Sequence, residues 1–121
     1  MASEIRPVIS LEAVKNGAKI SLSHSTSINM TGTCLYHNVQ AIGTSAEVIA
    51  LPSDLSGIPS LIFFKNLDSA NYVEIALDSG MSQVFAKLLF GQAMMMPPST
   101  ATFYARANTA LVDLIVVATE A

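Results

Sequence analysis

Hydrophobic and polar residues alternate along much of this chain with a period of two. The pattern is clearest at Ala18, Ile20 and Leu22, which alternate with a lysine and two serines. It recurs over residues 72–77 and 103–108. Because successive side chains of a strand point to opposite faces of a sheet, the alternation predicts strands with one buried face.

Two further segments, residues 61–64 and 111–118, are apolar at every position except Asp113. Such runs, rich in β-branched and aromatic residues, are typical of central strands that are covered on both faces. We therefore expect both segments to lie at the centre of a sheet.

Turn-forming residues separate the predicted strands. Asn16-Gly17 is a strong hairpin signal because both residues tolerate positive φ, and it predicts that a strand near residues 8–14 pairs with one near 18–23. Asn66, Asp68 and Asn71 predict a tight, fold-defining hairpin turn in which Asp68 and Asn71 bond the turn backbone. The spacing of all the turns predicts about eight short antiparallel strands in an all-β sandwich or barrel.

Two segments permit either a helix or a strand. Residues 10–15 fit one short helical turn that Asn16-Gly17 would end. Residues 82–89 fit a helix or a strand, and we favour the strand because both neighbours are predicted strands. No repeat or linker divides the chain. We therefore expect one β-sandwich domain over residues 1–121, with residues 1–7 as an extended arm.

The composition is unusual in its balance of apolar and charged residues. Of 121 residues, 51% are hydrophobic and only 12% are charged, against about 25% charged in an ordinary domain. This balance excludes intrinsic disorder. Six basic residues against nine acidic ones make no strong field for nucleic acid. No apolar run is long enough to span a membrane, and the N-terminus lacks an export signal pattern.

Few residues offer catalytic chemistry. Cys34, the single cysteine, is interpreted as a small buried hydrophobe, with a nucleophile as the alternative. His24 and His37 could join Cys34 as zinc ligands only if paired strands brought all three together, so we interpret both histidines as structural or surface residues. No phosphate-binding loop or hydrolase motif is present. We expect no enzyme activity, no cofactor and no metal.

Two uncharged segments are candidate subunit contacts. Met94, Met95 and Met96 cannot all face one core, because neighbours on a strand alternate, so at least one must face outward. They form either an edge packed under a loop or a subunit contact. Ser25 and Thr26 belong to a Ser/Thr-rich stretch over residues 21–33. That stretch is either an exposed loop or a strand whose hydroxyl face lies against a neighbouring chain.

The residues from Gln40 to the C-terminus carry an ordered set of short motifs. They are Asn66-Leu67-Asp68 followed by Asn71-Tyr72-Val73, then Lys87-Leu88 with Gly91, and Tyr104-Ala105-Arg106-Ala107 before a hydrophobic C-terminal strand. This set resembles small virion structural proteins of tailed bacteriophages, of the capsid decoration (cement) type. Phe90 departs from the pattern, in which a proline or an alanine is more usual before the glycine.

The resemblance implies a β-sandwich, often jelly-roll-like, within the phage particle. We therefore expect a decoration protein that binds and stabilises the outer shell as an oligomer. Its expected partners are further copies of itself, as a homotrimer, and the major capsid protein, and its expected location is the virion assembled in the host cytoplasm. One alternative is a β-sandwich associated with the tail, the adaptor or a fibre. The second is a carbohydrate-binding jelly-roll module that uses Tyr36, Tyr72 and Tyr104, because tryptophan is absent.

Overall fold

The computed structural model describes residues 4–121, which form ten strands and no helix. The strands are β1 (Val8–Lys15), β2 (Ala18–Ser25), β3 (Leu35–Ile42), β4 (Glu47–Val48), β5 (Leu61–Asn66), β6 (Val73–Ala76), β7 (Val84–Leu88), β8 (Ala93–Met96), β9 (Tyr104–Ala107) and β10 (Val112–Thr119). Every pairing between these strands is antiparallel, so the predicted all-β class is confirmed. Residues 82–89 contain β7, in agreement with the predicted strand.

The chain divides into two compact units, one ending at Thr31 and the other running from Gly32 to Ala121. A single domain over residues 1–121 therefore stays a prediction. Residues 1–3 of the predicted N-terminal arm lie outside the described residues. Ile5, from the same predicted arm, forms an isolated antiparallel bridge with Ile28.

The first unit is a β-hairpin of β1 and β2. Their register runs from Val8 opposite Ser25 to Lys15 opposite Ala18. Asn16 and Gly17 connect the strands with φ angles of 52° and 82°. Positive φ at both central residues is what a type I′ hairpin turn requires, so the predicted hairpin is confirmed. Residues 10–15 are extended, and the alternative of a helical turn is wrong.

Every residue of β1 and β2 is exposed. The prediction that the alternation at Ala18, Ile20 and Leu22 marks a buried face is therefore wrong for this hairpin. The period of two reports which side chains share a face. It does not report whether anything covers that face.

The second unit is a sandwich of two four-stranded sheets, with orders β3-β10-β5-β8 and β4-β9-β6-β7. Four pairings are nested: β6 with β7, β5 with β8, β4 with β9, and β3 with β10. Residues 35–119 thus form one long antiparallel ribbon that folds back between β6 and β7. Pairing of β10 with β5, and of β6 with β9, completes the two sheets.

The turn at the head of this ribbon depends on Asp78. Its carboxylate accepts hydrogen bonds from the Ser82 hydroxyl at 2.6 Å and from the backbone N–H groups of Ser82 at 3.1 Å and Gln83 at 2.8 Å. The hydroxyl of Ser82, followed by the N–H of Gln83, lowers the pKa of Asp78. This is a turn-forming carboxylate, as expected for Asp between two strands.

The core lies between the two sheets. Phe64 of β5 meets Phe103, just before β9, with ring centroids 5.7 Å apart and planes at 73°. Both rings are fully buried, and each contributes about 1.5–3 kcal/mol through removal from water. Other fully buried side chains are Ile42, Ile62, Val73, Ile75, Val112, Leu114 and Val116.

The predicted central strands occupy central positions, since β10 and β5 are the inner strands of the first sheet. The prediction that both of their faces are covered is wrong. Ile62 and Phe64 are buried, whereas Phe63 between them is half-buried. Apolar residues on both sides of a strand allow both sides to be covered. In this sandwich, only one side of each strand faces a second sheet.

The predicted hairpin turn at Asn66, Asp68 and Asn71 is instead a crossing between sheets, because β5 and β6 belong to different sheets. The Asn66 side chain is fully buried. Its amide donates to the carbonyl oxygens of Asn71 at 2.9 Å and of Leu88, in β7 of the second sheet, at 3.0 Å. Its oxygen accepts the N–H of Asp68 at 2.8 Å. Asn66 therefore ties the end of β5 to the opposite sheet.

Asp68 holds the rest of this crossing. Its carboxylate accepts the backbone N–H groups of Asn71 at 2.6 Å and Ala70 at 3.0 Å. The N–H of Asn71 is the first cause of a lowered pKa at Asp68, and the N–H of Ala70 is the second.

Replacing Asn66 should test how much this crossing stabilises the sandwich. We expect Asn66→Ala to lower the free energy of unfolding by about 3 kcal/mol, since buried backbone groups lose their partners. Urea denaturation followed by circular dichroism measures the change. The control is Asn38→Ala, whose exposed amide donates to the Tyr36 hydroxyl at 3.1 Å and should change stability by no more than about 0.5 kcal/mol. Equal effects of the two substitutions would contradict this account.

Candidate interaction surfaces

The hairpin carries one apolar face, which we call the hairpin apolar face. The register places Leu11 opposite Leu22 and Ala13 opposite Ile20. Ile9, opposite His24, and Lys15, opposite Ala18, complete its eight residues. Its four large side chains remain 55–66% exposed. Contiguous exposed apolar surface of this kind marks interaction sites, so the hairpin apolar face is the first candidate surface.

The opposite face of the hairpin is more polar. Ser10, Glu12, Ser21 and Ser23 share it with Val8, Val14, Lys19 and Ser25. Lys19 Nζ lies 3.9 Å from Glu12 Oε2, and both side chains are well exposed. An exposed pair at this distance contributes little to stability. The two faces therefore differ in chemistry although neither is covered.

A second apolar surface lies on the first sheet, on the side away from the core; we call it the outer sheet face. One cross-strand row runs through His37, Val117, Phe63 and Met95. The next row contains Val39, Ile115, Lys65 and Ala93. Phe63, Met95, Ile115 and Val117 are half-buried, whereas Val39 and the nearby Leu35 are 48% and 70% exposed. The outer sheet face is the second candidate surface.

The three methionines divide between the two sides of the first sheet. Met94 and Met96 pack against the core, and Met95 lies on the outer sheet face beside Phe63. All three are half-buried in the edge strand β8. A subunit contact through Met95 stays a prediction.

Ser25 and Thr26 lie at the open end of the hairpin, away from the Asn16-Gly17 turn. Ser25 closes the ladder opposite Val8, and the N–H of Thr26 donates to the carbonyl of Pro7 at 3.3 Å. An open depression of about 480 Å³ is lined by Arg6, Val8, Ser25, Thr26 and Ser27. The Ser/Thr-rich stretch is thus a strand as far as Ser25 and mostly loop beyond it. The role of these two residues in an interface stays a prediction.

Glu120 forms a buried polar site at the C-terminal end of the sandwich. It is 8% exposed, and its carboxylate accepts N–H groups from Thr33 at 2.7 Å, Cys34 at 3.0 Å and Ser56 at 2.7 Å. The N–H of Cys34, then those of Ser56 and Thr33, lower the pKa of Glu120. A carboxylate held in this way stays ionised and is a poor proton donor near neutral pH. Glu120 has a structural role, because it connects residues 33–34, just before β3, and Ser56, in the loop before β5, to the C-terminal end of the chain.

Gly32 is required beside this carboxylate. A Cβ at Gly32 would overlap the Glu120 side chain, which its three hydrogen bonds hold in place. The sequence pattern indicates a chain break at Thr31-Gly32-Thr33 but no role for Glu120 and no contact between it and Gly32, because the two residues lie far apart along the chain.

Cys34 is half-buried, with its Sγ 3.8 Å from Asp54 Oδ1. Removal from water, followed by the negative charges of Asp54 and Glu120, raises the pKa of the thiol. Because the thiolate is the nucleophile, a raised pKa makes this cysteine a weak one. The thiol is not the fully buried hydrophobe that the sequence predicts, since it is half-buried beside a carboxylate, and the nucleophile alternative stays a prediction. His24 lies on β2 and His37 on β3.

Residues 4–121 contain no group of three or more His, Cys, Asp and Glu side chains arranged to hold a metal ion. Over the same residues, no helix has the length and hydrophobicity needed to cross a membrane. No protein-family model matches the chain, and neither do the curated proteins or the solved structures with which it was compared. The candidate surfaces therefore stand on the chain's own geometry.

The Glu120 site predicts a pH dependence of stability. Because the folded pKa lies below the unfolded value of about 4.3, the ionised carboxylate stabilises the fold above that value. This stabilisation is lost as the pH falls through the folded pKa. We expect Glu120→Gln to lower the Tm at pH 7, and the difference from wild type to shrink from about pH 5 towards pH 3. Thermal denaturation across this range measures it.

Glu12→Gln is the matched control, because it makes the same charge change on the exposed hairpin. It should leave the Tm nearly unchanged at every pH. If the Tm difference between Glu120→Gln and wild type is the same at every pH, the loss of the ionised carboxylate and its hydrogen bonds does not cause that difference.

Proposed function

We propose that this chain is a structural protein of a tailed-phage virion, and specifically a decoration protein that binds the outer capsid shell as a homo-oligomer. The observation that carries the proposal is the pair of apolar sheet faces, one exposed and one half-buried, on a chain with 12% charged residues. Surface of this kind suits a subunit that stays covered by neighbours in an assembly. A homotrimer in contact with the major capsid protein is the form we propose.

The strand order supports a jelly-roll version of the sandwich. In a jelly roll, eight strands form two sheets by wrapping one long antiparallel ribbon, and the nested pairs from β3–β10 to β6–β7 have that arrangement. Viral capsid domains and lectins both use this architecture. A fold does not by itself specify function, so the strand order only agrees with the proposal.

The residues that carry the phage resemblance have structural contacts in the second unit. Asn66 and Asp68 hold the crossing between sheets. The ammonium of Lys87 lies 4.2 Å from the centre of the Tyr72 ring. Arg106 pairs with Glu74 across β9 and β6 at 3.0 Å. These motif residues therefore stabilise the second unit, and we propose that other residues carry attachment.

The tyrosines disfavour the carbohydrate-binding alternative. Tyr36, Tyr72 and Tyr104 are all half-buried, and Lys87 covers the Tyr72 ring. A sugar site needs an aromatic face that is open to the ligand. We therefore propose the virion role over the carbohydrate-binding role. The test of the virion role also distinguishes the outer shell from a tail, adaptor or fibre location.

Imaging and copy counting of the phage particle test the proposal. We expect cryo-electron microscopy to show this chain on the outer shell, and quantitative gels to give hundreds of copies per particle, on the order required by an icosahedral lattice. About 6 or 12 copies would place the chain at the neck or tail axis and overturn the decoration role. Absence of the chain from purified particles would overturn the virion role altogether.

A further inference from the structure

We propose that the hairpin apolar face of one copy packs on the outer sheet face of a second copy. This inference rests on the self-association in the proposed function, and it does not depend on a phage particle. It assigns the two candidate surfaces to each other.

The hairpin needs a cover whenever the chain is folded. A two-stranded hairpin alone in water is only marginally stable, and three strands or a packed face are needed for independent stability. Both strands are exposed along their whole length, with Leu11 at 58% and Leu22 at 66%. A partner that is always present meets this need best, and a second copy of the same chain is such a partner.

The outer sheet face matches the hairpin in length. Strands β1 and β2 have eight residues each, as do β3 and β10, the pair that forms one half of the outer sheet face. Two sheets can pack face to face about 10 Å apart with their strands nearly aligned. An eight-residue ribbon laid along β3 and β10 would therefore cover both strands from end to end.

One pair of opposite charges can align the two faces. Of the eight residues on the hairpin apolar face, Lys15 is the one Lys, Arg, Asp or Glu. Of the eight outward residues of β3 and β10, the corresponding one is Asp113, which is exposed, while Lys65 of β5 lies on the same face opposite Ile115. If β1 runs antiparallel to β10 with Lys15 beside Asp113, Leu11 lies opposite Val117, because Leu11 is four residues before Lys15 and Val117 is four residues after Asp113. The opposite direction would put Lys15 at the end of β10 away from Asp113.

The buried area is sufficient when two copies exchange hairpins. A ribbon about 27 Å long and 10 Å wide covers about 270 Å² on each side. Two such contacts between the same two copies bury about 540 Å² per copy, or about 1,080 Å² in all, which exceeds the ~1,000 Å² that a specific interface needs. In a ring each contact would bury only about half of that total, so the area favours a reciprocal pair.

Two neighbouring cross-strand pairs provide a matched test of association. Leu11 and Leu22 face each other on the hairpin apolar face, and Ser10 and Ser23 face each other on the opposite side. We expect sedimentation to show wild type and Ser10→Ala/Ser23→Ala as the same oligomer. We expect Leu11→Ser/Leu22→Ser to associate at least about 10-fold more weakly, and Val117→Ser on the outer sheet face to weaken association as well.

The urea midpoint of each variant shows whether the sandwich remains folded. A monomeric wild type at high concentration would overturn the inference. So would an unchanged oligomer of Leu11→Ser/Leu22→Ser. If Val117→Ser unfolds the sandwich, disulfide trapping of the contact decides.

Disulfide trapping identifies which surfaces meet. In a Cys34→Ser background, we expect Leu11→Cys and Val117→Cys, co-expressed as two chains of different mass, to form a mixed dimer under mild oxidation. Each variant alone should remain uncrosslinked. Ser10→Cys replaces Leu11→Cys as the control and should give no mixed dimer with Val117→Cys, because it lies on the other side of the hairpin.

Each alternative partner gives a different product. A dimer of Leu11→Cys with itself would show hairpin-on-hairpin packing. A third chain, Leu11→Cys/Val117→Cys, tests the remaining case: an intrachain disulfide in it, without mixed dimers of the single variants, would show that the hairpin folds onto its own chain. Either result, or no crosslink in an oligomer, overturns the inference and leaves the virion role open. A mixed dimer from a chain that is absent from phage particles would support this contact and overturn the proposed function.

Discussion

The second unit of this protein depends on the burial of the two facing sheet surfaces around Phe64 and Phe103. These rings come from different sheets, so neither sheet can keep its inner face dry without the other. The nested pairing of β3 to β10 follows from this requirement, because a single ribbon must present apolar residues from both halves to one core. The chain then has to cross repeatedly between the sheets.

Each crossing brings backbone polar groups close to the core, and they need partners. Asn66 supplies them where β5 leads to β6. Glu120 supplies them where the loop before β5 and the entry to β3 meet the C-terminus. These two side chains are the buried polar groups of the described residues, and each of them makes three hydrogen bonds to backbone. Their position follows from the topology of the sandwich.

A sandwich covers one face of each sheet and leaves the other face to solvent or to a neighbour. On the first sheet that outer face carries Phe63, Val117 and Met95. The hairpin adds a further apolar face with no core of its own. This division accounts for the low share of charged residues, since much of the surface has the composition of an interior. The proposed role in an assembly would use these faces.

The sequence by itself determined the strands, because backbone pleating and turn chemistry are local. The period of two, the Asn16-Gly17 turn and the apolar segments near β5 and β10 were sufficient for that. Tertiary structure alone decided which faces are covered. The same alternation gives a buried face at Val73 and Ile75 but an exposed one at Ile20 and Leu22. It also decided that Asn66 begins a crossing and not a hairpin, since β5 and β6 belong to different sheets. Burial and hydrogen bonding between distant segments depend on which sheet lies opposite, and no local pattern contains that information.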